Sequence, residues 1–341
     1  MNNIALAGCG NVGTAFLEIL HEKKSELKEK YGFEFKVVLI TDLMKGVVLN
    51  PDGIDLGSLL DELHAKHNFG SFSIQTSESF PELLDKSRAT MLAECTPTNL
   101  KTGEPGLSHL RAALSRGISV TTTNKGPIGV AFDELRQLAR ECGAKLGYEG
   151  VGMSGTPVID MTLNGIAGCR MLGVEGILNG TTNYILTRME DGASYSDALT
   201  EAISLGYAEA DPSGDVEGWD AAVKLVILAR ILFDKEINVK DVKREGITNI
   251  TQEEVSAAKE KGHSIKLIAG ISVDDNGDLS LYVKPKEIDG KNPLAAIKGA
   301  TNAVTIKTDN LGEITVAGPG AGRRETGQAL LSDMIRMTRH R

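Results

Sequence analysis

The chain has 341 residues, of which 41% are hydrophobic, 24% charged and 4% aromatic, and its formal net charge is -9. Such a length suggests about two domains of ordinary globular composition. The acidic balance argues against general nucleic-acid binding and against an anionic membrane surface, and the scarcity of aromatics argues against base-stacking platforms.

Asn3 to Ala7 is a short apolar run that reads as the first strand. No basic segment, apolar core and cleavage site open the chain, so no secretory signal is expected. Gly8-Cys9-Gly10-Asn11-Val12-Gly13 follows, and a helical pattern then runs from Thr14 to about Lys30. A G-x-G-x-x-G motif alone is weak evidence. Between a strand and a helix it predicts a dinucleotide cradle. Gly8 allows the tight turn, Gly10 the approach of a pyrophosphate, and Gly13 close helix packing, with free N–H groups at the helix start. The bland alternative is a tight turn without a ligand.

The second strand, Phe35 to Ile40, leads to Asp42. A carboxylate there can hold a ribose diol and repel a 2′-phosphate, which favours NAD, whereas nearby Lys45 can serve NADP. Residues 50–80 read as polar and loop-like, with weak helix signals near Leu59 to His67. Ala89 to Cys95 reads as a strand ending at Thr96-Pro97, facing the cofactor crevice. Cys95 is a candidate nucleophile, although a structural thiol is the commoner role. A helix over His109 to Ser115 and a strand over Ile118 to Thr123 follow. That strand ends at Asn124-Lys125-Gly126-Pro127, where a lysine can bind a carboxylate or shuttle a proton. Phe132 to Cys142 is a further amphipathic helix. Alternating strands and helices with short links describe a doubly wound parallel sheet of the Rossmann kind, over residues 1–150.

Lys145 to Glu149 reads as a strand entering Gly150-Val151-Gly152-Met153-Ser154-Gly155-Thr156-Pro157, a bend able to present carbonyls and N–H groups to a ligand or ion. Pro157 suits a helix start. A strand over Met171 to Leu178 ends in Asn179-Gly180-Thr181-Thr182-Asn183-Tyr184, and helices follow at 182–190 and 195–205. Ser194 and Thr251 read as N-caps, the latter in a capping box with Glu254. Asn276-Gly277 marks a hairpin between the alternating runs Ser264 to Val273 and Asp278 to Ile288. Strands are expected at 301–307 and 312–317. Residues 151–315 therefore read as an α+β domain with a mainly antiparallel sheet. Residues 316–341 carry a second glycine-rich loop, Gly318 to Gly322, and a helix from about Arg324 to Thr338, expected to return to the dinucleotide-binding domain.

The richest segment is 206–224. Glu209, Asp211, Asp215, Glu217, Asp220 and Lys224 cluster around Pro212, Gly214 and Gly218. The pattern turns helical near Val216, so Asp220 and Lys224 share one face. Lys224 opens the apolar run Leu225 to Ala229, which predicts that its stem enters the interior. A solvated acidic loop with a surface ion pair is the rival reading. A buried lysine beside a carboxylate is instead a candidate acid/base. Cys9, Cys95, Cys142 and Cys169 lack paired ligand spacing, which suits a reducing cytoplasm and offers no zinc site. His21, His64, His67, His109, His263 and His340 are equally dispersed. No apolar run is long enough to span a membrane.

Together these segments resemble the homoserine dehydrogenase family nearly end to end. The most specific parts are Gly176 to Ile185 and Leu205 to Lys224, with Asn124-Lys125 and Gly318 to Gly322 in support. The resemblance implies NAD(P)-dependent interconversion of L-homoserine and L-aspartate 4-semialdehyde, within threonine, methionine and isoleucine biosynthesis, by a homodimer built through the second domain's sheet. It implies catalytic roles for Lys224, Lys125 and Asp220. It implies substrate binding by Glu209, Asp215, Thr181, Gly180 and Tyr207. Cofactor contacts are expected from Gly8, Gly10, Asn11, Val12, Gly13, Asp42, Cys95, Thr96, Pro97, Asn124, Lys125, Gly320, Ala321, Gly322 and Thr326. It further implies a Na+ or K+ site from Glu149 and carbonyls around Gly152, Ser154 and Thr156. Neither a preceding aspartate kinase nor a following ACT-type regulatory domain is expected. Either Lys224 or Lys125 is the proton carrier on this reading. Two rivals stand beside it. One is semialdehyde dehydrogenase chemistry on Cys95. The other is an NAD(H) sensor, for which the sequence offers no output module.

Overall fold

The computed structural model describes residues 1–339, so His340 lies outside the described residues. The chain divides into two compact units, residues 1–155 with those from 322 onward, and residues 156–321.

The first unit is built on a six-stranded sheet. Its elements are β1 (Asn2–Ala7), α1 (Asn11–Glu22), α2 (Lys24–Tyr31), β2 (Phe35–Asp42), β3 (Gly46–Leu49), α3 (Leu56–Lys66), α4 (Phe80–Ser87), β4 (Met91–Glu94), α5 (Gly106–Leu114), β5 (Ser119–Thr122), α6 (Lys125–Glu141), β6 (Leu146–Gly147) and α7 (Gly150–Met153). The strand order is β3-β2-β1-β4-β5-β6, parallel except where β3 turns back along β2. Both faces are buried, which is why the strands read as apolar runs. Ile4 and Leu6 join a core with Phe16, Leu20, Leu59 and, from the C-terminal helix Arg323–Arg339, Leu330 and Met334. Ala5 and Ala7 face the opposite core with Leu92, Leu110, Val120 and Leu135.

Three expectations change here. The first helix is two helices, parted at Lys23. The stretch 50–80 is not mainly loop. Asp55 caps α3, whose Leu56, Leu59, Leu60 and Leu63 are buried, and a Ser79–Glu82 capping box starts α4. The strand expected from Lys145 to Glu149 shrinks to Leu146–Gly147, because from Gly150 the chain already turns into α7.

The second unit contains α8 (Val158–Asp160), β7 (Met171–Ile177), α9 (Gly180–Glu190), α10 (Tyr195–Ser204), α11 (Ser213–Val216), α12 (Trp219–Phe233), β8 (Lys243–Arg244), α13 (Gln252–Glu260), β9 (His263–Val273), β10 (Leu279–Asp289), β11 (Thr301–Thr308) and β12 (Gly312–Pro319). The C-terminal helix is then α14. The sheet order is β12-β11-β7-β9-β10-β8, antiparallel except between β10 and β8. Ser194 caps α10, and Thr251 with Glu254 forms the capping box of α13. The β9–β10 hairpin turns through Asn276-Gly277, with Gly277 at φ 83°. β9 does not alternate as its sequence suggests. It lies between β7 and β10, and Ser264 to Ile271 are all buried.

Candidate active site

In the first unit the three loop glycines have different physical reasons. Gly8 adopts φ +90°, and a Cβ there would lie 2.7 Å from the Cys95 main chain. A Cβ on Gly13 would lie 2.1 Å from the Gly8 carbonyl oxygen. Both are glycine because the protein packs against them. Gly10 is different, since no described atom comes within 4 Å of where its Cβ would sit. Gly10 precedes α1, no side chain caps that helix, and Asn11 and Val12 form its first turn. Open space beside an uncapped helix start fits a dinucleotide pyrophosphate.

Asp42 ends β2 beside this loop. Its Oδ2 accepts from the Cys9 N–H at 2.8 Å, and its Oδ1 accepts from the N–H groups of Met44 and Lys45, each at 3.0 Å. Lys45 Nζ lies 3.9 Å from Asp42 Oδ1. The carboxylate thus ties the glycine loop to the β2–β3 turn, and one lone pair, on Oδ2, remains for a ribose hydroxyl. The Cys95 thiol donates to the Gly8 carbonyl at 3.0 Å. Burial, and then the charge of Glu94, pushes that thiol well above its ordinary range. A thiol held neutral in this way is poorly suited to nucleophilic attack.

Glu94 is fully buried at the end of β4 and was not evident as a site residue from sequence. It accepts from the Thr96 N–H at 3.0 Å, from the Thr96 hydroxyl, and from the Thr122 hydroxyl at 2.9 Å. Asn124 donates to the carbonyls of Thr96 and Pro97 and caps α6 through Gly126. Lys125 is the first residue of α6 and half-buried. One buried carboxylate and one capping amide therefore shape both strand ends.

The 149–155 bend is held from α14. Asp333, 1% exposed, accepts from the Glu149 N–H at 3.2 Å, the Thr121 hydroxyl at 2.8 Å and Arg336 at 2.8 Å. Burial raises the Asp333 carboxyl above the ordinary range, against the opposing pull of Arg336. Glu149 is buried, and its carbonyl accepts from the Gly152 N–H at 3.2 Å. Ser154 has φ 55° and pairs its hydroxyl with Thr326 at 2.7 Å. Thr326 also donates to the Gly322 carbonyl. Thr156 opens the second unit, where its hydroxyl donates to the Pro319 carbonyl at 3.0 Å. Among the described residues no three His, Cys, Asp or Glu side chains gather as a metal cluster. Gly320 and Ala321 belong to the second unit, and a Cβ on Gly320 would strike the Asn302 side chain at 2.1 Å. That glycine has a packing reason of its own.

The second unit brings two carboxylates of the acidic segment, Asp215 and Asp220, together with Lys224. Lys224 is 8% exposed in α12, as the apolar run after it dictates. Its Nζ donates to the Leu178 carbonyl at 2.8 Å and lies 2.8 Å from Asp220 Oδ2, one helical turn away. Asn179 caps α9 and donates to Asp215 Oδ1 at 2.6 Å and Asp220 Oδ2 at 3.0 Å. Burial raises the Asp215 carboxyl, and the Asp220 charge adds to this, while hydrogen bonds from Asn179 and Thr181 and the charge of Lys224 oppose it. Thr181 donates to the Tyr207 carbonyl, and the Tyr207 ring leans on Tyr184 at 4.9 Å. Gly180 starts α9, where a Cβ would lie 2.6 Å from the Ala300 carbonyl oxygen. Glu209 is exposed, and no hydrogen bond joins it to this network among the described residues. Asn179 is the member that the sequence reading did not single out.

An uncapped helix start beside a glycine loop, on a parallel sheet, and a buried lysine–carboxylate network in a second unit are the features of an NAD(P)-dependent oxidoreductase. Family comparison narrows the class. The homoserine dehydrogenase profile matches residues 157–335, and the homoserine dehydrogenase NAD-binding profile matches residues 8–149. The chain is 43% identical to an NAD(+)-dependent homoserine dehydrogenase of Pseudomonas canavaninivorans, over 97% of this chain and 95% of that one. It is 38% identical to a homoserine dehydrogenase of Methanocaldococcus jannaschii, over 98% and 97%. A hyperthermophilic archaeal homoserine dehydrogenase solved with NADPH superposes with a TM-score of 0.82 at 31% identity, covering 100% of this chain and 98% of that one. The chain belongs to the homoserine dehydrogenase family.

Proposed function

We propose that this chain interconverts L-homoserine and L-aspartate 4-semialdehyde, with Lys224 as the proton carrier. The observation that carries this reading is the Lys224 amine, buried, with one carboxylate and one carbonyl as partners. Bound NAD(P) supplies the hydride acceptor. In the oxidative direction the Lys224 amine takes the hydroxyl proton. In reduction its ammonium form returns that proton and stabilises the forming alkoxide. Asp220 holds the amine in place. Asp215 and Glu209 receive the substrate's α-ammonium. The N–H groups of Gly180 and Thr181, at an α9 start, suit the substrate carboxylate, with Tyr207 beside them. Lys125 is the second lysine of this proposal, as a cation for that carboxylate or as the alternative proton carrier.

The same proposal includes a preference for NAD, supported by Asp42 at the end of β2. It includes the remaining cofactor contacts of the glycine loop, Cys95 to Pro97, Asn124, Gly320 to Gly322 and Thr326. It includes a Na+ or K+ site at Glu149, Gly152, Ser154 and Thr156, supported by the buried, tethered Glu149 bend. A homodimer is supported by β12, which has no outer neighbour in its sheet among the described residues. A cytoplasmic setting is supported by four free cysteines. The test is initial rates of NAD and NADP reduction with L-homoserine, with and without potassium or sodium, alongside light scattering for the dimer. Turnover that favours NAD supports the reading. Bound cofactor without turnover on homoserine overturns it.

A further inference from the structure

Asn179 stands at the junction of β7 and α9, 4% exposed. Its Oδ1 accepts from the Thr182 N–H and the Thr182 hydroxyl, both at 2.9 Å. A main-chain N–H can only donate, so this end of the amide is the oxygen, and the nitrogen points the other way. The two hydrogens of Nδ2 then meet two carboxylates, Asp215 at 2.6 Å and Asp220 at 3.0 Å. The Asp220 oxygen involved is the one beside Lys224 Nζ. Lys224 in turn donates to the carbonyl of Leu178, the residue before Asn179, and Asn302 holds that carbonyl at 2.9 Å.

We propose that Asn179 is a positioning residue for proton transfer, whose amide fixes Asp215 and Asp220 together and thereby aligns Asp220 on Lys224. The proposal rests on the Lys224 reading above. Two neighbouring carboxylates repel, and one of them tends to take up a proton or swing away. A neutral group with two donors bridges both carboxylates without adding a charge. A helix cap alone asks for much less. Serine caps about as well as asparagine, but its single hydroxyl hydrogen cannot serve two carboxylates.

That difference supplies the test. Asn179→Ser keeps a cap and loses the paired donors. Asn179→Asp keeps the acceptor for Thr182 and sets a third carboxylate against the other two. Ser194→Ala removes an N-cap from α10, away from the network, and serves as the measure of cap loss alone. Unfolding midpoints, kcat, KM and pH profiles with homoserine are compared, together with Lys224→Ala. The groups facing Asp215 are Asp220 and Lys224 from α12, and Asn179 and Thr181 from the start of α9. Asn179→Ser is expected to unfold near the wild-type midpoint while kcat/KM falls about 10- to 100-fold. The acid limb of its pH profile moves to higher pH, because Asp215 loses a donor that favours its ionised form. Asn179→Asp loses more, and Ser194→Ala changes only the midpoint. A wild-type kcat/KM and pH profile in Asn179→Ser, beside an inactive Lys224→Ala, reduces Asn179 to a cap and overturns the proposal. Wild-type turnover in Lys224→Ala overturns the underlying lysine reading, and this proposal with it.

Discussion

Lys224 and Lys266 are both buried lysines of the second unit, and they are built for different ends. Lys224 keeps 8% of its surface exposed and shares its Nζ between the Leu178 carbonyl and the Asp220 carboxylate. Lys266, in β9, is fully buried and donates to the Asn183 amide oxygen at 3.1 Å and the Ile297 carbonyl at 2.7 Å. Neither partner is charged. Burial lowers the Lys266 amine from 10.5 to about 8, although the Glu190 charge pulls the other way. Asn183 also donates to the carbonyls of Gly299 and Thr301, so Lys266 and Asn183 together pin the segment before β11 against α9. A buried amine is therefore not in itself a catalyst. A carboxylate partner and a residual opening distinguish Lys224, the proposed proton carrier, from Lys266.

The largest expected effect lies in turnover. Lys224→Ala should lower kcat by about 10²- to 10⁴-fold, the usual weight of general acid–base action, while Lys266→Met should leave kcat within about twofold, consistent with a change that touches no reacting group. Steady-state rates on both variants check this, and comparable losses would dissolve the comparison. Removing the charge of the carboxylate partner comes next. Asp220→Asn should cost about 10- to 100-fold in kcat, as the loss of a charge-assisted hydrogen bond. An equal loss in cofactor affinity would assign Asp220 a different task.

The third expectation concerns stability. Lys266 has a depressed folded value, so the folded chain releases this proton before the unfolded chain does. Its cost is fully present below about pH 8 and is relieved as pH rises from about 8 to 10.5. The size is about 3 kcal/mol. Urea unfolding of wild type across that window should show a rising component that Lys266→Met lacks. The smallest effect is on substrate affinity at low pH. Asp215 has a raised folded value, so it leaves its carboxylate form at a higher pH than an ordinary aspartate does. The KM for homoserine should rise on mild acidification, and Asp215→Asn should start with a higher KM and flatten that rise.

These regions were unequally legible in the sequence. The dinucleotide loop announces itself, because three glycines between a strand and a helix have few other uses. Lys224 and Asp220 were legible because helical spacing places them on one face ahead of an apolar run. Asn179 was not, since its carboxylate partners lie 36 and 41 residues away in the chain. Asp333 and Glu94 were hidden for a similar reason, as each accepts from a distant hydroxyl of β5, Thr121 and Thr122 respectively. Lys266 was masked by an alternating pattern that places it on a strand face without saying whether that face is covered. Glu209 shows the reverse case, because membership of an acidic segment does not bring a side chain into the network. Among the folded elements, α4 is marked mainly at its start, by the Ser79–Glu82 capping box and Pro81, and β3 is only four residues long, too short to carry much pattern.

The most direct test of the account is chemical rescue of Lys224→Ala. Single-turnover reduction of bound cofactor by homoserine would be followed with and without a small primary amine, with cofactor affinity measured on the same sample. The account predicts slow reduction, unchanged cofactor affinity, and acceleration that follows the neutral form of the added amine. Full-speed reduction without the amine, or a loss of cofactor affinity that matches the loss of rate, would contradict it.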